Sequence, residues 1–385
     1  MEARFYRFLS SRLIASISGQ IFLIYYLWYV VVAYDSVFLV GMIVTISLIV
    51  DLLLAYPIGH IIDHTNSTAV NFVGSILYGL GFIIPFLGLG LEGVYIGVAV
   101  YTVGYTSKGD SFSAFIKRDV PTDQFQKATS YQQGAAGLST LVGVVLGGMT
   151  IILLDKYLLV ILLSFAVSSA ILAFPIKEKD IDHKELTTET KEVLKFMRKI
   201  AGFLVFGFVI NGLFISLEVY SSGIFHIVLR AGPMYYTAFS AALPLGMVIG
   251  SALAGLKIER LGQNMSIALM LVGFSPLLIA IGLSRIPLLD VFCAFGIGFL
   301  LPLINTPLFV KLTKIVPQEI FGKTMALLRV FVAGSTPVMA TIFSMVAAFY
   351  AINIVILIVG IIVLPFSIFG LRTVKLLMDM PEAGI

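Results

Sequence analysis

The sequence predicts an all-α integral membrane protein with twelve transmembrane helices, arranged as two parallel repeats of six. Three observations predict this fold: the hydrophobicity of the chain, an internal repeat, and an uneven distribution of lysine and arginine between alternate loops. Hydrophobic residues make up 59% of the 385 residues and charged residues only 12%, whereas soluble domains carry about 25% charged residues. Apolar stretches recur along the whole chain, which indicates a multi-pass membrane protein.

The internal repeat relates residues that lie 196 positions apart in the chain. One pattern, Gly59-x-x-x-Asp63, returns as Gly255-x-x-x-Glu259. A second pattern returns at the same offset, since VPTDQFQK begins at Val120 and VPQEIFGK begins at Val316. Two patches that share one offset predict that the chain is built from two related halves.

Each predicted span has about 20 residues or more, the length needed to cross the hydrocarbon core of a bilayer. The predicted limits are 12–34, 37–62, 68–89, 92–116, 126–153, 157–175, 200–227, 233–256, 264–284, 287–312, 321–347 and 350–373. The connections are short except for a polar, highly charged segment near the middle. We therefore expect an N-terminal bundle over residues 1–176, a cytoplasmic linker over residues 177–199, and a C-terminal bundle over residues 200–385.

The distribution of the 25 lysine and arginine residues predicts the side of the membrane that each loop faces. With the N-terminus in the cytoplasm, the outside loops hold only Lys156, Arg230 and Arg285. Because cytoplasmic loops carry the excess of basic residues, both termini are expected in the cytoplasm. The expected location of the protein is the cell membrane, either plasma or inner. Six spans per half then make the repeats parallel. The single cysteine, Cys293, excludes an intrachain disulfide.

Both copies of the glycine pattern fall on predicted cytoplasmic loops, and they resemble the loop signature of the major facilitator superfamily, G-x-x-x-D-[RK]-x-G-[RK]-[RK]. The copy over residues 255–262 matches better, because His64 follows Asp63 in the first copy and residues 66–68 lack the glycine and the basic pair. Residues 316–323 resemble the V-P-x-[DE]-x-x-[GR] element of the drug-efflux and siderophore-export branch of that superfamily. The resemblance covers essentially the whole chain and implies the superfamily's fold.

The resemblance also implies that these loops act as gates between the two halves. The family's loop carboxylate latches one half against the other near span 11, a role that falls here to Asp63, with Glu259 as its counterpart near span 5. The alternative for Asp63 is a solvated loop residue. Glycine in this pattern is expected to let two helix ends approach closely. The other residues assigned to the gating loops are Gly59, Gly255, Arg260, Lys127 and Lys323.

Span 5 contains Ser139-x-x-x-Gly143, followed by Gly147 and Gly148. This pattern resembles the antiporter signature G-x-x-x-G-P-x-x-G-G of the same superfamily, with Val144 in place of the proline. Small residues at this spacing also let helices pack backbone to backbone. The pattern therefore predicts either an antiporter or an ordinary packing face.

Ionisable residues within the spans point to a functional site, since each costs roughly 2.5–3.5 kcal/mol at a helix centre. The main candidates are Asp51 in span 2, Lys108 and Asp110 in span 4, and Glu218 in span 7. Asp51 and Lys108 lie about 18 and 13 Å from the cytoplasmic ends of their spans, so a pair between them is feasible. We expect Asp51 or Asp110 to bind a proton during transport. The alternative is a static charge pair that only fixes helix packing.

Uncharged polar residues in spans 1, 5, 7 and 10 also mark the expected cavity, and the resemblance implies that spans 1, 4, 7 and 10 line the central path. These candidates for substrate or proton contact are Gln20, Gln132, Gln133, Asn211, Asn305 and Thr306. Two histidines, His60 and His64, lie four residues apart, but no third ligand is near them in the sequence. We therefore expect no metal site, no cofactor and no enzymatic activity.

The resemblance implies a secondary active transporter that works by alternating access in the lipid bilayer. The leading expectation is proton-coupled export of small amphipathic or drug-like compounds by a monomer that binds no nucleic acid. The alternative is proton-coupled uptake of a small metabolite or anion, with Lys108 as the counter-charge. A non-transporting membrane receptor or scaffold is the alternative from a different class, and it needs no titratable residue at mid-membrane.

Overall fold

The protein is described here by a computed structural model that covers residues 3–121, 124–175, 190–257, 263–317 and 321–381. The described residues are helical almost throughout, which confirms the all-α membrane fold. The chain divides into two compact units, Met1–His183 and Lys184–Ile385. Each unit is considered by itself below.

Six membrane-spanning helices form the N-terminal unit. They are α1 (Ala3–Tyr34), α2 (Val37–His64), α3 (Ser67–Ile83), α4 (Gly90–Asp119), α5 (Phe125–Leu153) and α6 (Leu158–Leu172). Helix α1 begins nine residues before the predicted span, so Arg7 belongs to the helix rather than to a preceding segment. Arg7 donates through Nε to the Leu172 carbonyl at 3.0 Å and therefore satisfies the open C-terminal end of α6.

The C-terminal unit has eight α-helices in its described residues, and a π-helical turn, Ile224–Val228, follows the second of them. The α-helices are α7 (Thr190–Lys199), α8 (Ala201–Gly223), α9 (Pro233–Lys257), α10 (Gln263–Leu283), α11 (Pro287–Ile315), α12 (Phe321–Ala333), α13 (Ser335–Ala347) and α14 (Ile352–Met378). The short helix α7 lies within the predicted linker and was not expected. Predicted span 11 is interrupted at Gly334, where α12 ends and α13 begins.

Ten segments of the described chain are long and apolar enough to span a membrane. Helices α4 and α10 occupy predicted spans 4 and 9 and complete the twelve. Helix α4 is the more polar of the two, because it holds both Lys108 and Asp110. All twelve predicted spans are therefore helices, with α12 and α13 together forming the eleventh.

The two units use the same scheme of helix contacts. In the N-terminal unit α1 packs against α5 and α6, α4 packs against α2 and α3, and α3 packs against α6. In the C-terminal unit α8 packs against α12, α13 and α14, α11 packs against α9 and α10, and α10 packs against α14. Every one of these pairs joins equivalent spans, which is the expected structural result of the sequence repeat.

Glycines set which helices approach most closely in each unit. In the N-terminal unit a Cβ atom at Gly81 would clash with the backbone of Tyr101, and one at Gly104 would clash with the backbone of Tyr78, so α3 and α4 touch through their main chains. In the C-terminal unit the close pair is α9 and α11, where Gly298 lies against the Leu243 carbonyl. Close backbone approach at small residues is a usual means of helix association in membranes.

Candidate functional site

A ladder of polar side chains joins α2 to α4 in the N-terminal unit. Thr106 donates its hydroxyl to a carboxylate oxygen of Asp51 at 2.5 Å. One turn away, the hydroxyls of Ser47 and Thr102 are 3.2 Å apart. Both helices advance by four residues between these contacts, which keeps the side chains on facing sides. Asp51 is exposed in this unit, so its carboxylate is hydrogen-bonded on one side and open on the other.

A cation lies on the opposite flank of α4. Arg12 of α1 donates through Nη1 to the Tyr105 carbonyl at 2.9 Å, and its guanidinium lies 4.1 Å from the centre of the Tyr105 ring. The hydroxyls of Ser16 and Tyr105 are 3.3 Å apart. We call Arg12, Ser16, Asp51, Tyr105 and Thr106 the α4 polar cluster. It presents a carboxylate, a guanidinium, hydroxyls and an aromatic ring around one helix.

The structure corrects the feasible pair between Asp51 and Lys108. Residues 106 and 108 are about 200° apart around the axis of α4, because each residue turns the helix by about 100°. Asp51 on α2 therefore contacts Thr106, whereas Lys108 points toward α1 and α3. The cation over the Tyr105 ring is Arg12 rather than Lys108.

Lys108 is fully buried and is held by neutral oxygen atoms. Its Nζ donates to Ser11 Oγ at 3.1 Å, to Asn71 Oδ1 at 3.1 Å and to Ser75 Oγ at 2.6 Å. These four residues are called the Lys108 site. An ammonium has three protons to donate, and all three are satisfied here.

The Lys108 site also ties helices together. Asn71 donates to the Lys108 carbonyl at 3.3 Å and to Ser111 Oγ at 3.1 Å, and Ser11 donates to the Ser169 carbonyl of α6 at 2.8 Å. The site thus links α1, α3, α4 and α6 inside the N-terminal unit. Its burial and complete hydrogen bonding favour a role in packing rather than in substrate contact.

The remaining candidates of the N-terminal unit lie at several places along the helices. Gln20 and Asp110 are partly exposed, and Gln20 packs its side chain against Gly143 of α5. Gln132 donates to Ser113 Oγ at 3.1 Å and so joins α5 to α4. The side chain of Gln133 lies outside the described part of the chain.

The glycine pattern of span 5 serves as a packing face. A Cβ atom at Gly143 would clash with Cβ of Gln20 and with the Ile17 carbonyl of α1, and one at Gly147 would lie 3.1 Å from Cβ of Ile24. Ser139 is fully buried. These contacts account for the small residues without requiring an antiporter role.

Polar candidates in the C-terminal unit are more scattered. Glu218 of α8 is exposed and lies near the buried Tyr236 of α9, which is hydrogen-bonded to Ser221 and Ser240. Asn211 donates to the Val332 carbonyl at 3.4 Å, one turn before the interruption at Gly334. Asn305 and Thr306 of α11 are both exposed.

Sequence reasoning missed Arg12 and Asp290. Arg12 lies at the predicted start of span 1 and was not among the candidate site residues, although Arg12, Ser16 and Gln20 form a polar stripe at steps of four that could have placed it on a helix face. Asp290, in the first turn of α11, is fully buried, and neither of its carboxylate oxygens has a hydrogen-bond partner among the described residues. The neighbouring hydroxyl of Ser284 is engaged with the backbone of Ile286.

The loop between α2 and α3 is held by local contacts. Asn66 accepts from the backbone N–H groups of Thr68 and Ala69 at 2.8 and 3.3 Å and caps α3. Arg118 of α4 donates to the Ile62 carbonyl at 2.6 Å and to the Thr65 carbonyl at 3.0 Å. The residues that depart from the family pattern therefore have structural tasks of their own.

The expectation of close helix approach at Gly59 is wrong within the N-terminal unit, because a Cβ atom there would meet nothing within 4 Å. The remaining gating predictions lie outside what the structure describes and stay predictions. They concern the side chains of Asp63, Lys127 and Lys323, the surroundings of Gly255, and the whole of Glu259 and Arg260.

Comparison with known proteins gives one family and many structures. A sequence model of the Major Facilitator Superfamily matches residues 8–336. A bacterial homolog of the human lysosomal transporter Spinster, in an inward-facing and unoccupied conformation, is similar with a TM-score of 0.76 and 10% identity, covering 98% of each chain. No curated protein matches the sequence.

Two other solved structures share the fold at low identity. The nucleoside transporter NupG has a TM-score of 0.76 and 12% identity, covering 97% of this chain and 100% of that chain. The peptide transporter POT in complex with sulfate has a TM-score of 0.74 and 13% identity, covering 99% of this chain and 96% of that chain. At these identities the likeness concerns the fold alone.

Proposed function

The chain belongs to the major facilitator superfamily, and on that premise we propose that it exports small amphipathic, drug-like compounds in exchange for protons. Family membership makes it a membrane transporter rather than an enzyme. In the proposed cycle of alternating access the binding site opens to one side of the membrane at a time. The proton and the substrate would alternate at the α4 polar cluster.

The observation that carries the proposal is the contact between Asp51 and Thr106. A threonine hydroxyl can donate to an ionised carboxylate and can accept from a protonated one. Asp51 therefore keeps a hydrogen-bond partner in both protonation states, and it is exposed enough to exchange a proton with water. If a carboxylate were paired with a fixed cation, its protonation would remove the negative charge and leave the cation without a counter-charge.

The surroundings of Asp51 support an amphipathic rather than an anionic substrate. Lys108, the counter-charge required by the uptake alternative, is buried in hydrogen bonds on another face of α4. The nearby guanidinium of Arg12 is covered by the Tyr105 ring, and the rings of Tyr101 and Tyr105 stack with centroids 5.7 Å apart. Tyr101 is buried, but the ring of Tyr105 is partly exposed, and a partly exposed ring near one accessible carboxylate supports an apolar compound that is neutral or cationic.

The coupling is tested in proteoliposomes that enclose a pH-sensitive dye. Addition of a transported compound should change the internal pH with the parent protein, and Asp51→Asn should reduce that signal to background. Glu92→Gln is the matched control, because it neutralises an exposed carboxylate near the other end of α4. If Asp51→Asn and Asp110→Asn both transport at the parent rate with the same pH dependence, the coupling proposal is wrong.

The direction is tested with vesicles of opposite orientation. An imposed proton gradient should drive accumulation into inside-out vesicles and depletion from right-side-out vesicles if the protein is an exporter. The opposite pattern would replace export by proton-coupled uptake. A protein that binds compounds but never moves them in either orientation would be a receptor or scaffold.

A further inference from the structure

A groove opens on the C-terminal unit between the start of α8 and the end of α14. Its cavity volume is about 50 Å³, and its lining includes Lys199, Gly202, Phe203, Thr373, Leu376 and Met380. Its walls are largely apolar, and Leu376 is 66% exposed. We call it the basic groove because Lys195, Lys199 and Arg372 lie along its edge.

Two helices bring positive charge to the basic groove. Lys195 and Lys199 lie four residues apart on the same face of α7, and both are exposed. Arg372 lies one turn before Leu376 on the same face of α14 and is exposed as well. The acidic residue nearest to Arg372 and Leu376 in sequence is Asp379, which directly follows α14 and is also exposed. The edge of the groove therefore carries net positive charge.

Packing explains why these charges face outward and why space remains beside them. Helix α7 buries Val193 completely, and Ile200 that follows it is 2% exposed, so its apolar side is used against its own unit. Gly202 lies close to Thr373, because a Cβ atom there would lie only 3.1 Å from Cγ2 of Thr373. A larger side chain at position 202 would therefore narrow the groove next to Lys199.

We propose that the basic groove binds one anionic phospholipid. Its phosphate would lie among Lys195, Lys199 and Arg372, and an acyl chain would cover Phe203 and Leu376. Basic residues next to the membrane surface attract anionic headgroups. The apolar lining beneath the charges selects a lipid over a free phosphate ion, since burial of a chain against exposed leucine adds a hydrophobic contribution. This proposal does not depend on the transported substrate.

The test uses the full-length protein purified in a neutral detergent. Phosphatidylglycerol, phosphatidylcholine and glycerol 3-phosphate are added separately, and bound lipid is measured by native mass spectrometry together with the melting temperature. Phosphatidylglycerol alone should bind and raise the melting temperature. Lys199→Gln with Arg372→Gln should weaken its binding about 30-fold, since each basic residue near the surface contributes about 1 kcal/mol. The control removes two exposed charges elsewhere, with Lys156→Gln and Arg285→Gln.

A second variant tests the apolar half of the site. Leu376→Gln changes an exposed side chain, so the protein should remain folded, but it should lower phosphatidylglycerol binding severalfold. Equal binding to the parent and to the double charge variant would overturn the proposal. The proposal would also be overturned if phosphatidylcholine bound as well as phosphatidylglycerol and raised the melting temperature equally. If glycerol 3-phosphate were the only compound that bound, the groove would be a site for free phosphate. Binding that requires neutralisation of Asp180, Asp182 and Glu185 would show instead that this acidic segment of the chain occupies the groove.

Discussion

The contact between spans 2 and 4 differs between the two units, although the repeat relates the residues one to one. In the N-terminal unit Ser47 and Thr102 meet through their hydroxyls. The residues 196 positions later are Leu243 and Gly298, and there the Leu243 carbonyl touches the glycine itself. One half therefore joins these helices by side chains and the other half joins them by backbone.

Asp51 lies one turn from this difference and depends on it. Its equivalent is Met247, and the equivalent of Thr106 is Pro302, which has no hydroxyl to donate. At this level α9 and α11 are in backbone contact, and neither Met247 nor Pro302 supplies a polar side-chain partner. The duplication therefore preserved helix order, whereas the carboxylate and its hydroxyl partner occur at these positions in the N-terminal unit and not at the equivalent positions of the C-terminal unit.

The Lys108 site shows the same asymmetry in the interior of the units. The equivalent of Lys108 is Ile304, which is 4% exposed, and the equivalents of its three acceptors are apolar or glycine. They are Gly207, Ile267 and Leu271. Substitutions at positions where the two units carry different residues test this asymmetry. The quantity to be measured for each is the free energy of unfolding in mixed micelles.

The largest effect is expected for Ile304→Lys. It places an ammonium at a buried position whose equivalent acceptors are missing, and an uncompensated buried charge costs about 3–5 kcal/mol. Ile304→Met is the control for side-chain length and should cost less than about 1.5 kcal/mol. Similar unfolding free energies for the two variants would mean that the C-terminal unit supplies acceptors of its own, and the asymmetry would fail.

Gly298→Ala should follow, with a loss of about 2–3 kcal/mol. The added methyl group would overlap the Leu243 carbonyl, so the backbones of α9 and α11 must separate. Gly134→Ala serves as the control, because a Cβ atom at Gly134 meets nothing within 4 Å and alanine favours the helix. If Gly298→Ala is as stable as the parent protein, the backbone contact does not hold this pair together.

Lys108→Met should destabilise the N-terminal unit by about 2 kcal/mol. Methionine fills the space of the lysine side chain but leaves the buried side-chain amide oxygen of Asn71 without its donor. An unsatisfied buried acceptor costs about 1–3 kcal/mol. Lys156→Met, at an exposed turn, should change stability little. A stabilised Lys108→Met variant would show that desolvation of the ammonium outweighs its three hydrogen bonds.

The smallest effect, about 1 kcal/mol, is expected for Thr102→Val. This change keeps the shape of the side chain and removes the hydroxyl that faces Ser47. A double-mutant cycle with Ser47→Ala measures the coupling between the two residues directly. Fully additive losses would mean that the two hydroxyls are neighbours without an energetic link.

Helix number, helix order and the repeat could be predicted from the sequence because they depend on hydrophobic length and on register. The partners of Asp51 and Lys108 could not, because depth along a span does not say which neighbouring helix a side chain faces. Arg12 was missed for a related reason. A basic residue near the predicted start of a span counts equally well as a loop charge until the extension of α1 to Ala3 is known.

The packing role of glycine could be predicted only where small residues recur in a pattern. A packing face was one of the two predictions from the small residues of span 5, and Gly143 does lie against α1, whereas a Cβ atom at Gly59 would meet nothing within 4 Å. The close contacts at Gly81, Gly104 and Gly298 were not predicted, because a single glycine in a hydrophobic span does not tell whether it faces another backbone. The interruption at Gly334 was missed in the same way, because the composition of span 11 is apolar on both sides of it.

The Lys108 site has a consequence for the order in which the protein is made. Ser11, Asn71 and Ser75 all precede Lys108 in the chain, so every acceptor has been synthesised before the lysine leaves the ribosome. A lone lysine costs roughly 2.5–3.5 kcal/mol when its helix enters a bilayer. Here the fourth span can insert beside the first and the third, which already offer three oxygen atoms. The ammonium can therefore be hydrogen-bonded before the second half of the protein is synthesised.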